Sequence, residues 1–337
     1  MESLRERLKA AVAYIAQHQR ADGIIPSHQE GLMDPWDMVE CAMALDVGGL
    51  HERAKKAYLW LQEVQNEDGS FWSYYEEGVP VDFTRDTNMS TYVALGSWHH
   101  YLLTRDRRFL ERMWPTVARA VEFAFALQGE EGLIYWASDR LGRVWPDSLV
   151  AGTSSVRAAI LCAERIAAVL GKPHHQRWRE GRRRLERAFV TWEGKMGCTL
   201  PEDESCFAMH WYYPVLCGLV RGSAARQRLV SRWRQFVHPQ LGVRCRADRP
   251  WVTVAESCEL AMALDVVGAR SLGRRILGWQ LAWQDEDGGF RIGTVPTDGP
   301  WPDGQRPTWT AAAVVLAMDC LYDLTPGGLL FRSLHEG

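Results

Sequence analysis

The sequence predicts an all-α fold, an (α/α)6 toroid of six inner and six outer helices with its long loops at one mouth. Three observations predict it: helical periodicity recurs twelve times, short and long connections alternate, and segments repeat one another. The pattern Gln-x-x-Asp/Glu-Gly closes four helical runs, at Gln19 to Gly23, Gln65 to Gly69, Gln128 to Gly132 and Gln284 to Gly288. A glycine there ends a helix by adopting a backbone conformation that other residues avoid. A longer match, at a spacing of 219 residues, pairs Glu40-Cys-Ala-Met-Ala-Leu-Asp-Val with Glu259-Leu-Ala-Met-Ala-Leu-Asp-Val. Two distant segments therefore solve the same packing problem.

In chain order the periodicity and the breakers place helices near 2–19, 35–48, 51–65, 88–104, 106–128, 153–171, 173–192, 207–221, 223–238, 253–268, 269–284 and 308–323. Tight turns such as Gly48-Gly49, Thr104-Arg105, Gly171-Lys172 and Arg221-Gly222 join helices within pairs. Long segments at 20–34, 66–87, 129–152, 193–206, 239–252 and 285–307 precede the second, fourth, sixth, eighth, tenth and twelfth helices. Those six helices are the more apolar, as in Thr310-Ala-Ala-Ala-Val-Val-Leu-Ala-Met, and so form the inner ring. No convincing alternating strand run accompanies them, although loops of this length have room for short hairpins. A single domain over residues 1–337 is expected.

Composition narrows the function. A net charge of −3, with 24% charged residues, offers no basic excess to neutralise phosphates, so nucleic acid is excluded as a partner. Arg182, Arg183 and Arg184 alternate with Glu180 and Glu186 and read as a solvated helix face. No run of about 18 apolar residues is present, and the chain opens on a charged amphipathic helix, so no integral membrane segment and a cytoplasmic location are expected. The eight cysteines are scattered without a Cys-x-x-Cys pair, which fits free thiols in a reducing compartment. Sixteen tryptophans are the loud signal, because many fall in the Gly/Pro/Asp-rich loops rather than in the helices.

Those loops bring carboxylates and aromatics to one mouth, where chemistry is expected. The first carries Asp34-Pro-Trp36-Asp37, with Glu40 one turn on; the second ends on Arg85-Asp86; the third holds Trp136 and Trp145-Pro-Asp147. The fourth leads into His210-Trp211-Tyr212-Tyr213, the fifth carries Trp251 before Glu256 and Glu259, and the sixth has Asp298, Trp301, Asp303 and then Trp309. Asp34, Asp86 and Asp203 also fit as helix N-caps, and Glu40 and Glu259 as structural partners of the facing loops. Taken together, aromatic planes and carboxylates around a ring suit sugars, whose C–H faces stack on indole and whose hydroxyls bond to acids. A general acid and a general base then suffice for hydrolysis.

Asp86-Thr-Asn-Met-Ser-Thr-Tyr, Leu103-Thr-Arg-Asp-Arg-Arg-Phe-Leu, Trp114-Pro-Thr-Val and Gly132-Leu-Ile-Tyr-Trp resemble the middle of glucoamylase-type six-hairpin glycosidases. Thr308-Trp-Thr-Ala-Ala resembles the opening of their last inner helix. The resemblance implies a general acid in the loop before the sixth helix and a base in the loop before the twelfth. Here those loops hold Trp145-Pro-Asp147 and Asp298 to Asp303, where that family carries Trp-Glu-Glu and Glu-Gln. The expected function is inverting hydrolysis of an oligosaccharide or glycoconjugate, with Asp147 as acid, Asp298 or Asp303 as base and Glu256 in reserve. Trp36, Asp37, Asp86, Trp136, Trp145, Trp211, Tyr212, Trp251, Trp301 and Trp309 are expected to bind substrate.

The Gln-x-x-Asp/Glu-Gly repeats equally resemble the squalene-cyclase and prenyltransferase superfamily, which implies an isoprenoid substrate instead. No Asp-x-Asp-Asp run is present, and Asp34-Pro-Trp-Asp37 has the wrong spacing for one. Asp203, Cys206 and His210 are zinc-ligand types of which only the last two are well spaced, so neither a metal nor a cofactor is expected. A non-catalytic glycan- or lipid-binding toroid is the third reading.

Overall fold

The computed structural model describes residues 2–27, 31–173, 175–196, 204–302 and 304–336. Its helices are α1 (Glu2–His18), α2 (Pro35–Val47), α3 (His51–Val64), α4 (Thr87–Thr104), α5 (Arg107–Ala126), α6 (Val150–Leu170) and α7 (His175–Trp192). They continue with α8 (Ala208–Leu216), α9 (Gly222–Ser231), α10 (Trp233–Phe236), α11 (Val254–Val266), α12 (Arg270–Gln280), α13 (Thr308–Tyr322) and α14 (Leu330–Ser333). The inner ring closes: α2 packs on α4, α4 on α6, α6 on α8, α8 on α11, α11 on α13, and α13 back on α2. Outside it, α3, α5, α7, α9 and α12 each lie on the inner helix that precedes them, and α1 lies on α13. The fold is the all-α toroid that the pattern predicts.

Composition dictates which helix goes where. Every residue of α13 from Thr310 to Leu321 is buried, as suits a helix with neighbours on all sides. By contrast α12 buries only Gly273, Ile276, Leu277 and Gln280, one stripe at helical spacing. Boundaries shift where local chemistry intervenes. The eighth helix stops at Leu216, since Pro214 supplies no N–H and Gly218, at φ +70°, turns the chain. The predicted helix over 223–238 breaks at Arg232 into α9 and α10, and residues 237–238 become a strand.

The Gln-x-x-Asp/Glu-Gly repeat proves to be the staple that joins outer helices around the ring. In all four copies the glutamine amide donates to the glycine carbonyl four residues on, closing the loop. The same amide also reaches a backbone carbonyl on the next outer helix: Gln19 to Arg53, Gln65 to Thr116, Gln128 to Gly181 and Gln284 to Arg7, at 2.9–3.0 Å. The glycines have φ between +91° and +103°. A Cβ on Gly69 would sit 2.1 Å from the Arg119 carbonyl oxygen. A Gly69→Ala protein should lose about 2–4 kcal/mol and melt several degrees lower, since both the torsion and the space are denied. Thermal denaturation checks this, and an unchanged melting temperature would refute the staple.

The long segments are knitted pairwise by small antiparallel sheets, which the sequence pattern left unplaced. Strand β1 (Leu32–Met33) pairs with β2 (Tyr74–Glu76), which pairs with β3 (Val79–Asp82). Next, β4 (Arg85–Asp86), β5 (Ala137–Ser138) and β6 (Val144–Trp145) form the second sheet. The third runs in order from β7 (Val237–His238) through β8 (Gly242–Arg244), β9 (Val252–Thr253) and β10 (Gly293–Val295) to β11 (Gly299–Trp301). These ladders fix the mouth above the inner-helix N-termini. At the other end, the Asp46 carboxylate receives His51 Nδ1 and His100 Nδ1 at 2.9 Å each, locking α2, α3 and α4 together. Among the described residues no single helix is long and apolar enough to cross a membrane, and the described cysteines are free thiols.

Candidate active site

A cavity of about 350 Å³ opens at the mouth on the toroid axis, lined by Asp34, Trp36, Asp37, Glu40, Tyr74, Met89, Met209, Ala255, Glu256, Glu259 and Trp309. Five of the six inner helices or their caps contribute. Five of its eleven lining residues are acidic and none is Lys, Arg or His. A larger cavity, about 810 Å³, lies on the outer flank around α9 and α12, but its aliphatic and arginine lining includes no carboxyl group. Of these two cavities only the axial one carries carboxyl groups.

Local structure puts the carboxyls there. Asp34 is the N-cap of α2 and accepts from the Asp37 N–H at 2.9 Å, with Pro35 at the first helical position. That fixes Asp37 in the first turn, and Glu40 follows one turn below on the same face. On α11 the cap is Thr253, Glu256 lies in the first turn, and Glu259 is buried one turn further on. Asp37 and Glu256 are thus repeat equivalents at the same 219-residue spacing as Glu40 and Glu259. The two helices flank α13, whose Trp309 lies between them at the pocket wall. The indole N–H of Trp36 donates to Glu40 Oε1 at 2.8 Å, so Glu40 fixes the orientation of that ring. Tyr92 donates to the same oxygen at 3.0 Å, and Tyr212 donates to Glu259.

The electrostatics follow from crowding acids in a wall without cations. Burial lifts the Asp37 carboxyl well above the usual carboxylate range, and the neighbouring Asp34 lifts it further. Burial raises Glu40 from 4.5 to about 7, against the pull of its Trp36 and Tyr92 hydrogen bonds. It also raises Glu259 well above its ordinary value, with the Glu40 charge adding to the effect. Asp86 rises to about 6 by burial, although the Asn88 and Met89 N–H groups that it caps oppose this. An acid whose pKa is raised by folding stabilises the protein below its unfolded pKa and loses that contribution as pH climbs through the folded value. The melting temperature should therefore fall as pH rises from about 4.5 through 7, and Glu40→Gln should flatten the fall. Buried His99, lowered from 6.5 to about 4, acts in the opposite sense over the same range, so the comparison decides: identical profiles for the parent and Glu40→Gln would contradict a raised Glu40 carboxyl.

Of the sequence-predicted residues, the pocket brings together Trp36, Asp37, Glu256 and Trp309. Asp86 caps α4 beside it. Asp147 is elsewhere: it lines a separate cleft with Glu131, Tyr135, Trp192 and Lys195, and accepts from the Ser148 N–H at 2.7 Å. The reason is the second sheet, where the Trp136 N–H donates to the Asp147 carbonyl and holds that segment against β5. Asp298 is exposed at the tip of the β10–β11 hairpin, where Thr297 bonds to it. Asp303 and Asp203 lie outside the described residues. Trp211 is core, stacked on Phe236 at 5.3 Å with its N–H on the Arg228 carbonyl. Tyr212 is buried behind Glu259. Trp136 pairs with Trp145 at 4.8 Å, and Trp251 stacks on Trp301 at 4.4 Å, both in the loop layer rather than the pocket lining. The repeat register that relates Asp37 to Glu256 is the signal that leads to the pocket.

Carboxyls beside tryptophans on the axis of an α/α toroid suit a glycoside hydrolase, and a near-full-length relative shows that class. No protein-family model matches the chain. Among solved structures, a glycosidase in complex with glucose superposes with a TM-score of 0.75 at 16% identity, over 96% of this chain and 97% of that one. The GH63 mannosylglycerate hydrolase from Thermus thermophilus gives 0.72 at 14% identity, over 90% and 98%. The MMP endo-(1,4)-3-O-methyl-alpha-D-mannosidase of Mycolicibacterium hassiacum is 40% identical over 339 aligned positions, 98% of this chain and 90% of that protein. The chain belongs to the family of that mannosidase.

Proposed function

We propose that this protein cleaves α-(1,4)-linked chains of 3-O-methylmannose by inverting hydrolysis, with Asp37 as general acid and Glu256 as general base. The observation that carries the roles is the pocket itself. Its two first-turn acids come from equivalent places in the repeat, yet burial and the neighbouring Asp34 favour the protonated form of Asp37, while Oε2 of Glu256 is buried without a hydrogen-bond partner. Glu256 lines the pocket, and in this role it accepts from the attacking water there. The substrate class is that of the mannosidase relative, and the cation-free lining supports it by favouring neutral sugars over carboxylated or phosphorylated ones.

In the reaction, the Asp37 O–H gives its proton to the glycosidic oxygen as the bond from C1 to that oxygen breaks. Glu256 takes a proton from a water whose oxygen attacks the opposite face of C1, so an α-linkage yields a β-hemiacetal. Asp37 ends ionised and Glu256 protonated, and solvent exchange through the open mouth resets both. Trp36 and Trp309 give the sugar apolar faces to lie on. Proton NMR of a fresh digest of an α-(1,4)-linked 3-O-methylmannose oligosaccharide tests the reading. The β-anomer must appear first. An α-anomer first would rule out inversion, and an intact oligosaccharide would rule out the substrate.

A further inference from the structure

Glu40 and Glu259 line the pocket one turn below the proposed acid and base, and the reaction just described uses neither. We propose that they form a paired-carboxyl floor that grips the two free hydroxyls of the sugar at the scission point and so determines which sugar is accepted. This rests on the substrate reading above. In a (1,4)-linked 3-O-methylmannose unit, position 3 is methylated and position 4 is in the chain. The hydroxyls at carbons 2 and 6 are then the only hydrogen-bond donors left on the ring.

Both carboxyls hold neighbouring side chains and also line the cavity. Each is anchored on one oxygen from behind, Glu40 by Trp36 and Tyr92 and Glu259 by Tyr212, which leaves the remainder of the group to the cavity. Such anchoring pre-orients a binding group and lowers the cost of ordering it when ligand arrives. The groups facing the pair are all acidic or weakly acidic. They are Asp34 before α2, Asp37 and Cys41 within it, Tyr74 from β2, Tyr92 from α4, Tyr212 and Tyr213 from α8, Cys217 just after it, Cys245 after β8, and Glu256 and Cys258 from α11. No cation in the pocket lining neutralises the two acids, so they repel and one retains its proton near neutrality. The protonated member both donates and accepts, and the ionised member accepts, which is what two sugar hydroxyls require.

Buried polar groups made to bond a hydroxyl reject an analogue that lacks it, because the protein group is then left unpaired. The test measures binding of an α-(1,4)-linked 3-O-methylmannose tetrasaccharide, and of its 2-deoxy and 6-deoxy analogues, by calorimetry in an Asp37→Asn background. That background separates recognition from the acid assignment. The pocket with both glutamates should prefer the parent sugar over each analogue by about 100-fold. Glu40→Gln and Glu259→Gln should each abolish the preference at one hydroxyl and keep it at the other. Tyr92→Phe and Tyr212→Phe, which release the two anchors, should relax the same two preferences and serve where a glutamine variant fails to fold. Equal loss of affinity for all three sugars would mean a structural role and overturn the proposal. A preference untouched by every substitution would overturn it as well. Failure of the unsubstituted pocket to bind the tetrasaccharide would overturn the substrate reading and this proposal together.

Discussion

Asp37→Asn should lower kcat by two to four decades, the usual contribution of a general acid, while the fold melts at the same temperature or slightly higher. The asparagine keeps the shape of the side chain and its place in the first turn of α2, but it has no acidic proton to give. Stability is spared because the group it replaces is a carboxyl that burial and Asp34 already disfavour as an anion. KM should change little, since the loss is of an interaction made mainly in the transition state. The dependence on leaving group adds a check: substrates whose leaving oxygen needs no proton should be hydrolysed nearly as fast by the variant as by the parent. A variant that cleaves the natural linkage at the parental rate would remove Asp37 from the chemistry.

Glu256→Gln carries the second large effect, again a loss of two decades or more in kcat, because water is then no longer deprotonated as it attacks. Here rescue gives the sharper evidence. A small anionic nucleophile such as azide needs no base and should restore turnover, giving a β-glycosyl azide by attack from the face that water normally uses. Recovery with an α-azide would place Glu256 on the wrong side of the sugar. Without any recovery, and with folding intact, Glu256 would be a binding group rather than a base.

The scaffold was legible in the sequence because it is repetitive. The 3.6-residue period, the glycines of the four staples and the alternation of loop lengths report physical constraints that act locally, and the closed ring follows from them. The sheets over the mouth were not legible, since strands of two to four residues carry too little alternation to separate from coil. The site was half legible. Trp36, Asp37, Glu256 and Trp309 fall where helix N-termini meet the axis, so their position along the chain predicts their place. Asp147 and Asp298 also lie in the long segments before inner helices, but pairing in the second and third sheets settles which way those segments run, and that is a tertiary effect. The Gln-x-x-Asp/Glu-Gly motif misdirects in another manner. Its glutamine donates to a backbone carbonyl on the next outer helix and its glycine packs closely against that helix, so the motif staples the ring and supplies no residue to the pocket lining.

The most direct measurement is a crystal structure of the Asp37→Asn protein soaked with the α-(1,4)-linked 3-O-methylmannose tetrasaccharide. The account predicts a sugar ring between Trp36 and Trp309, its glycosidic oxygen within hydrogen-bond reach of residue 37. A water held by Glu256 should lie on the far side of C1, with the two carboxyl positions roughly 6.5–9.5 Å apart as inversion requires. Density for the scissile linkage in the Asp147 cleft, with the axial pocket empty of sugar, would contradict it.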